Sequence, residues 1–386
     1  MLKQALLELS CPELLRTQSY INGEWVDAEG GNTVGVMNPA NGLSIVEVAS
    51  LGASETKTAI EGAYSAGLAW RQKTAIERST LLRRWFDLML EHQDDLAKIL
   101  TAEQGKPLAE AKGEILYGAS YVEWYAEEAK RINGDVIPQP SNDKRLVVVK
   151  QPVGVVGSIT PWNFPNAMIA RKAAPALAAG CTFVGRPATE TPLSALALAV
   201  LAEKAGIPKG VFNIVVGARS IGTELTTNAL VRKITFTGST PVGKILMAQS
   251  VGTCKKMSME LGGNAPFIIF DDADIDAAID GVMVSKYRNA GQTCVCANRI
   301  LVQEGVYDTF VEKLLDRVNA FTLGSGADDT TTIGPLINSK AANDVHALVS
   351  DATDKGAKVL VGGNISTLGE CFFEPTILVD VPAEAR

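Results

Sequence analysis

Apolar and polar positions along residues 152–250 predict strands and helices in alternation. Four short apolar runs are typical of buried strands: 153–159, 182–186, 210–217 and 231–238. Four longer patterns are typical of helices: 166–180, 191–206, 220–228 and 239–250. The second of these helices would be capped by Thr191, start with Pro192 and end at Gly206. Such alternation predicts a parallel sheet with helices on both faces.

The segments on either side of residues 152–250 show other patterns of apolar and polar residues. Residues 20–30 carry a short strand-and-turn signal, and long helical patterns follow at 53–72 and 75–105. A second α/β unit begins near Glu260, with a strand at 299–303 and a helix at 305–321. The predicted fold class is therefore α/β, with a parallel-sheet unit followed by a second α/β unit.

Composition limits the classes of function. The chain has 386 residues, 46% hydrophobic and 20% charged, which suits a globular enzyme of two or three domains. The net charge of −7 is spread along the chain, so no basic groove for nucleic acid is expected. Six scattered cysteines suggest a reducing compartment. The N-terminus lacks the apolar core of a signal peptide, and the longest apolar helical run is too short to span a bilayer. We expect a cytoplasmic protein without a membrane partner.

Ligands of parallel sheets bind outside the carboxyl ends of the strands, so the residues that follow each strand are candidates. In "FTGST", Gly238 allows close approach of the backbone, and the helix start at Ser239 suits a phosphate. In "RPATETP", Arg186 could reach a phosphate or a ribose. An ordinary turn and a surface charge are the alternative interpretations of these two segments.

The segment "TPWNFP" predicts a rigid loop. Pro161 and Pro165 hold Trp162, Asn163 and Phe164 in a non-helical conformation. A fixed amide side chain suits one half of an oxyanion hole. The alternative is a packed turn in which Asn163 caps the next helix.

Cys294 and Cys296 stand two residues apart, so a metal clip, a disulfide, a nucleophile with a bystander, and two buried apolar residues are all open. The only histidines, His92 and His346, are far from any cysteine in sequence, which disfavours both zinc and a Cys–His dyad. A nucleophilic thiol would therefore need another base. Glu260, at the end of a strand in an apolar setting, is the candidate. Its alternative role is a carboxylate bonded to neighbouring backbone N–H groups.

Taken in order, "PWNFP", strand–"RP", "FTGST", "ELGG" and "GQTC" resemble the aldehyde dehydrogenase superfamily. The resemblance implies a Rossmann-type cofactor domain at 1–132 and 152–260, and a catalytic domain at 261–386. It also implies an oligomerisation arm at 133–151, with a homodimer or homotetramer in the full-length form. The family continues past Arg386, so the catalytic domain is expected to be incomplete at its C-terminus.

The same resemblance implies the site residues. Cys294, Glu260 and Asn163 would be catalytic, with no metal. Residues expected to bind the nicotinamide cofactor are Thr160, Pro161, Trp162, Asn163, Arg186, Ala188, Thr189, Gly217, Gly222, Phe236, Thr237, Gly238, Ser239, Val242, Glu260 and Leu261. The family usually has lysine at Arg186, a branched residue at Gly185 and a glutamate at Thr189. A hydroxyl beside a guanidinium suits a 2′-phosphate, so NADP is expected, with NAD also possible.

Charges near the thiol suggest the substrate. Arg171 and Arg288 lie in segments that resemble succinate-semialdehyde dehydrogenases, in which arginines at these places hold the distal carboxylate. The small-molecule substrate would be succinate semialdehyde, oxidised to succinate. The alternatives are structural ion pairs at both arginines, a glutarate-semialdehyde or broad-specificity enzyme, and an inactive truncated paralogue that only binds nucleotide or partner subunits.

Overall fold

A computed structural model describes residues 8–386 of the chain. The chain divides into two compact units. The first comprises the residues up to Val36, Val46–Leu96 and Gly113–Glu260, and the second comprises Met37–Ile45, Ala97–Lys112 and Leu261–Arg386. The functional assignment of the predicted domains stays a prediction.

The strands and helices are numbered in chain order. The strands are β1 (Ser19–Ile21), β2 (Glu24–Val26), β3 (Thr33–Met37), β4 (Ser44–Ala49), β5 (Asp135–Ile137), β6 (Leu146–Val148), β7 (Val155–Ile159), β8 (Thr182–Arg186), β9 (Phe212–Ile214), β10 (Val231–Thr237), β11 (Lys256–Glu260), β12 (Ala265–Ile269), β13 (Ala297–Val302), β14 (Lys358–Val361) and β15 (Ile377–Val379). The helices are α1 (Ala53–Trp70), α2 (Ala75–Glu91), α3 (Gln93–Gln104), α4 (Leu108–Glu128), α5 (Pro165–Ala178), α6 (Leu193–Lys204), α7 (Arg219–Thr227), α8 (Thr240–Ser250), α9 (Ile275–Val282), α10 (Tyr307–Asn319) and α11 (Ser339–Asp354).

A seven-stranded sheet forms the centre of the first unit, in the order β11-β10-β7-β8-β9-β1-β2. The strands from β11 to β9 pair in parallel, and β1 and β2 extend the sheet antiparallel. Helices α5 to α8 connect the parallel strands in turn. Every residue of β7 is buried, as expected when helices cover both faces of a sheet. The predicted alternation and the α/β fold class are confirmed.

The start of α6 differs from the prediction. The helix begins at Leu193, and its N-cap is Pro192 in a right-handed helical conformation. Thr191 does not cap the helix, because its hydroxyl donates to the carbonyl oxygen of Trp162 at 3.4 Å. Gly206 follows the helix with a φ of +85°, the left-handed conformation expected of a glycine that ends a helix.

The predicted arm contains an exposed antiparallel hairpin. Strands β5 and β6 pair with Val136 opposite Val147, and all their residues are exposed. Apolar side chains on a two-stranded ribbon have no core of their own to pack into.

The second unit has its own core. Strands β12 and β13 are parallel, and β14 pairs with β15 antiparallel. Buried side chains from β12, α9, α10 and β15 pack together, among them Ile269, Ile279, Phe310 and Ile377. Among the helices of residues 8–386, none combines the length and apolarity that a membrane crossing requires.

Candidate active site

The carboxyl edge of the parallel sheet gathers most of the predicted site residues of the first unit. In the register of the sheet, Ile159 pairs with Arg186 and with Phe236, and Thr237 pairs with Glu260. The segments that follow β7, β8, β10 and β11 therefore leave the sheet at one edge. This is the edge at which ligands of such sheets bind.

The loop that carries Asn163 is tied to its neighbours through the backbone. The Thr160 N–H donates to the Arg186 carbonyl oxygen at 3.1 Å. Helix α5 begins at Pro165 with Phe164 as its N-cap, and no side chain of the loop caps it. The alternative in which Asn163 caps the helix is therefore wrong.

A buried carboxylate that the sequence analysis missed holds the start of α5. Glu114 Oε1 accepts from the backbone N–H groups of Asn166 at 3.0 Å and Ala167 at 3.2 Å. A negative charge is favourable at a helix N-terminus, where these N–H groups have no partner within the helix. The signal in the sequence was an acidic residue next to Ile115 on the apolar face of α4.

Several buried polar atoms at this edge have no hydrogen-bond partner within the described residues. They are Thr160 Oγ1, Thr237 Oγ1 and Arg186 Nε. Buried polar atoms are normally hydrogen-bonded, so unpaired ones at a ligand edge are expected where a polar ligand completes the set. The donors fit the phosphate and sugar groups of a nucleotide cofactor.

Arg186 is held at the end of β8. Its Nη2 donates to the Gly217 carbonyl oxygen at 3.1 Å, and burial lowers the pKa of its guanidinium. Gly217 has a φ of +138°, and a Cβ there would lie 2.4 Å from the Leu51 backbone nitrogen. Close backbone approach therefore accounts for this glycine without a ligand. Glu190, beside Thr189, is exposed.

Local packing accounts for glycine, in place of the branched residue that the family usually has, at position 185. A Cβ at this position would lie 2.7 Å from the Phe183 ring and 3.1 Å from the Ile214 side chain. A branched side chain would need Phe183 to move.

The remaining predicted cofactor positions of the first unit lie around the same strand ends. Ser239 is the N-cap of α8 and uses no side-chain cap, and Val242 in its first turn is exposed. Phe236 is buried, and a Cβ at Gly238 would lie 2.5 Å from its ring. Gly222 lies in α7, where a Cβ would make an ordinary contact of 3.6 Å with Ile159. Pro161 and Trp162 are half-buried, and Ala188 is buried.

Glu260 differs from the prediction. The apolar setting is wrong, because β11 is the edge strand of the sheet and Glu260 is exposed. Its backbone carbonyl oxygen accepts from the Gly238 N–H at 3.0 Å, which joins the ends of β10 and β11. Glu260 is therefore solvent-exposed at the carboxyl ends of the parallel strands.

A buried lysine that the sequence analysis missed lies in the same unit. Lys172 on α5 donates from Nζ to Thr235 Oγ1 at 3.0 Å. Burial lowers its pKa to about 8, an effect increased by the positive charge of Arg171 and opposed by the negative charge of Glu260.

Arg171 forms no ion pair within the described residues. Its guanidinium lies over the Tyr121 ring, 5.3 Å from the centroid, and Nη1 is 3.9 Å from the Met168 sulfur. The alternative of a structural ion pair is therefore wrong for Arg171. Cation–π packing fixes a guanidinium without neutralising its charge.

In the second unit, the thiol loop contains a strained turn. Asn289, Ala290 and Gly291 have φ values of +55°, +54° and +76°. Left-handed conformations of non-glycine residues cost of order 1–3 kcal/mol each and persist only where the surroundings impose them. Here the Asn289 N–H donates to Glu110 Oε2 at 2.8 Å. Glu110 is another site residue that the sequence analysis missed.

Gln292 connects this turn to the rest of the second unit. Its side-chain amide donates to the Asn289 carbonyl oxygen at 3.1 Å and accepts from the Ile337 N–H at 3.0 Å. A Cβ on Gly263 would lie 3.6 Å from the Cys294 carbonyl oxygen. The Gln292 side chain therefore ties the turn that precedes Cys294 to the Ile337 backbone.

The two neighbouring thiols have opposite environments. Cys294 is exposed, whereas Cys296 is only 3% exposed. The Cys296 sulfur lies 3.0 Å from Thr293 Oγ1 and donates to the Gly291 and Lys286 carbonyl oxygens at 3.2 and 3.5 Å. Cys296 is thus a packed, hydrogen-bonded residue, and Cys294 is the accessible thiol.

Leu261 and Arg288 also belong to the second unit, where Leu261 is half-buried and Arg288 is exposed. Asn163, Arg171 and Glu260 belong to the first unit. Within residues 8–386, no group of three or more His, Cys, Asp or Glu side chains is placed to hold a metal ion.

Comparison with known proteins identifies the family. Residues 25–386 match the model of the aldehyde dehydrogenase family. The chain is 60% identical to a glutarate-semialdehyde dehydrogenase of Pseudomonas aeruginosa and 60% identical to the succinate-semialdehyde dehydrogenase [NADP(+)] GabD of Escherichia coli. Each of these matches spans 98% of this chain and 79% of the relative. The incompleteness expected at the C-terminus of the catalytic domain stays a prediction.

Comparison with solved structures gives the same family. The crystal structure of an NADP-dependent enzyme of E. coli superimposes with a TM-score of 0.97 at 59% identity, over 98% of this chain and 79% of that one. The family predicted from the five motifs and the predicted fold class are confirmed. The chain belongs to the aldehyde dehydrogenase family.

Proposed function

We propose that the protein oxidises succinate semialdehyde to succinate, through a thioester on Cys294 and with NADP as the oxidant. The observation that carries the proposal is the contrast between the exposed Cys294 thiol and the buried Cys296 on a loop held by Glu110 and Gln292. The test is detection of a succinyl group on Cys294 after the protein reacts with succinate semialdehyde and NADP.

Cys294, Asn163 and Glu260 each have a separate role in the proposed reaction. The Cys294 thiolate adds to the aldehyde carbon, and the Asn163 amide with the Cys294 N–H stabilises the oxyanion. A bound nicotinamide cofactor supplies the acceptor for the hydride that leaves this carbon. Glu260 then takes a proton from water, which attacks the thioester and releases the acid and the thiol.

Two residues favour NADP over NAD: Arg186, which ends β8, and Thr189, in the segment that follows it. Arg186 presents a buried Nε without a partner in the described residues, and Thr189 has a small hydroxyl in place of a carboxylate. A guanidinium suits a 2′-phosphate, whereas a carboxylate repels it. The E. coli relative is named as NADP-dependent, in keeping with this assignment.

Replacement of Thr189 by glutamate is expected to move the preference from NADP towards NAD. Arg186→Ala should raise the KM for NADP by roughly 10- to 150-fold, because it removes one charged hydrogen bond to the 2′-phosphate. The KM for NAD, which lacks this phosphate, should change much less. Steady-state rates with each cofactor provide the measurement, with Arg84→Ala, an exposed arginine on α2, as the control. A strong NAD preference in the parent that Arg186→Ala leaves unchanged would refute the assignment.

The distal carboxylate of the substrate is assigned to Arg171 and Arg288. Arg171 has no carboxylate partner among the described residues, and the Tyr121 ring holds its guanidinium. A guanidinium binds a carboxylate with two parallel hydrogen bonds at best. The relatives at 60% identity are named for succinate and glutarate semialdehydes, each of which carries such a carboxylate.

Arg171→Ala and Arg288→Ala should each lower kcat/KM for succinate semialdehyde by roughly 10- to 150-fold, because each removes a charged hydrogen bond to the substrate. The value for an uncharged aldehyde of similar length should change less than threefold, by about 0.6 kcal/mol at most. Arg131→Ala, which removes an exposed arginine of the first unit, is the control. Equal losses on both aldehydes would mean that the arginines act on the structure and not on the carboxylate.

Glutarate semialdehyde is the second candidate substrate, since the Pseudomonas relative named for it matches at the same 60% identity. One methylene changes the free energy of transition-state binding by only about 1–3 kcal/mol. The ratio of kcat/KM for the two semialdehydes decides between them.

We also propose that copies of the chain associate through the 133–151 arm. The exposed valines of β5 and β6, Val136 and Val147, support this assignment, because apolar ribbons are stabilised by a partner. We infer a homodimer or a homotetramer, the assemblies that the resemblance to the family implies. The free thiols suit a cytoplasmic location.

A further inference from the structure

The opposite, amino-terminal edge of the parallel sheet contains a cavity of about 330 Å³ that the proposed reaction does not use. All of its walls come from the first unit. The C-terminal half of α1 forms one wall, and the segments that lead into β7, β8 and β10 form the other. The cavity and the Asn163 loop therefore lie at opposite ends of the same strands.

Three hydrogen-bond donors of the cavity have no partner within the described residues. Arg71 and Arg232 line it, and neither guanidinium makes a hydrogen bond or an ion pair there. Thr182 also lines it, and its Oγ1 is buried without a partner in a residue that is only 1% exposed. A buried hydroxyl without a partner is unfavourable, and a bound acceptor would supply the missing hydrogen bond.

The positive charge of the cavity favours binding of an anion. No aspartate or glutamate is among the described residues that line it. Two further cations lie close by with their donors already used: Arg78 donates to the Ala178 carbonyl oxygen, and Lys255 donates to that of Val231. They add positive charge to this edge without competing for a ligand.

The other walls of the cavity are apolar, which selects a ligand with an apolar body. Ala63, Leu68 and Leu230 contribute aliphatic surface, and Tyr64 contributes an aromatic ring. Leu68 and Tyr64 are each 49% exposed, so a ligand there would cover apolar surface that water now contacts.

Glycines keep the floor of the cavity open. Gly180 has a φ of +82°, and a Cβ there would lie 3.1 Å from the Pro152 ring. A Cβ on Gly67 would lie 3.5 Å from the Thr182 side chain. Larger residues at these positions would fill the space between α1 and the strand ends.

We propose that this cavity is a second binding site, which takes a small organic anion with an apolar body. A phosphate monoester is the class that fits all three donors, because its terminal oxygens accept from both guanidinium groups and from the Thr182 hydroxyl. The site is separate from the cofactor edge, and the proposal does not depend on the reaction that the protein catalyses.

The test is calorimetric titration of phenyl phosphate into the full chain saturated with NADP, so that the cofactor edge is already filled. We expect saturable binding with a Kd of about 0.1–1 mM. Inorganic phosphate, which lacks the apolar body, and phenol, which lacks the charge, should each bind at least about tenfold more weakly.

Variants locate the binding. Arg71→Ala and Arg232→Ala should each raise the Kd at least about tenfold, and Thr182→Val about fivefold. Arg84→Ala, an exposed arginine on α2 of the same unit, should leave the Kd unchanged. If an alanine variant fails to fold, Arg71→Gln and Arg232→Gln remove the charge and keep most of the side chain. Absence of saturable binding, or a Kd that none of these lining variants changes, would overturn the proposal.

Discussion

Replacement of Cys294 by serine is expected to lower the rate of NADPH formation from succinate semialdehyde by at least roughly 1,000-fold. The thioester route needs sulfur, which ionises more readily than a hydroxyl and is the stronger nucleophile. The affinity for NADP should stay within about twofold, because the thiol belongs to the second unit and the assigned phosphate and ribose contacts belong to the first.

Two matched replacements serve as controls for Cys294→Ser. Cys296→Ser should keep most of the activity, because Cys296 is buried and bonded to its own loop. Cys254→Ser removes another exposed thiol and should have no effect. Loss of activity in Cys296→Ser together with an active Cys294→Ser would show that the nucleophile is Cys296.

Glu260→Gln is expected to slow release of the acid by roughly 10²- to 10⁴-fold, the usual contribution of a general base. The amide keeps the shape of the side chain but cannot take a proton from water. Formation of the thioester should continue, so the first turnover should produce one NADPH per site before the reaction stops. Rapid mixing of enzyme and substrate measures this burst, and Glu312→Gln, an exposed glutamate on α10, is the control. A first turnover as slow as the later ones would mean that Glu260 acts before the thioester forms.

The strands and helices of residues 152–250 could be predicted from the sequence because local periodicity determines them. Buried parallel strands give continuous apolar runs, and the helices between them have clear ends at residues such as Gly206. The cap of α6 could not be predicted, since the hydroxyl of Thr191 is drawn to Trp162, a residue on a different loop.

The candidate site was only partly predictable, for physical reasons. Glu260 is exposed because β11 lies at the edge of the sheet, and strand order is not visible in the local pattern. Glu110 and Glu114 bind backbone N–H groups far along the chain, at Asn289 and at Asn166. Contacts between such distant positions leave no periodic signal in a single sequence.

The choice between the two thiols also needed the structure. The sequence left a metal clip, a disulfide and two packed residues open for Cys294 and Cys296. The structure separates them by burial, because the loop turns the Cys296 sulfur towards the carbonyl oxygens of Gly291 and Lys286. A nucleophile with a packed bystander is the interpretation that fits these contacts.

The most direct test of the account is to locate the acyl group that the reaction leaves on the protein. The Glu260→Gln variant would be mixed with succinate semialdehyde and NADP, quenched in acid and cut with trypsin. The peptide of residues 289–299 contains both Cys294 and Cys296, so fragmentation in the mass spectrometer must assign the modified sulfur. We expect a succinyl thioester on Cys294, present also when Cys296 is replaced by serine. An unmodified Cys294, or a succinyl group on Cys296, would contradict it.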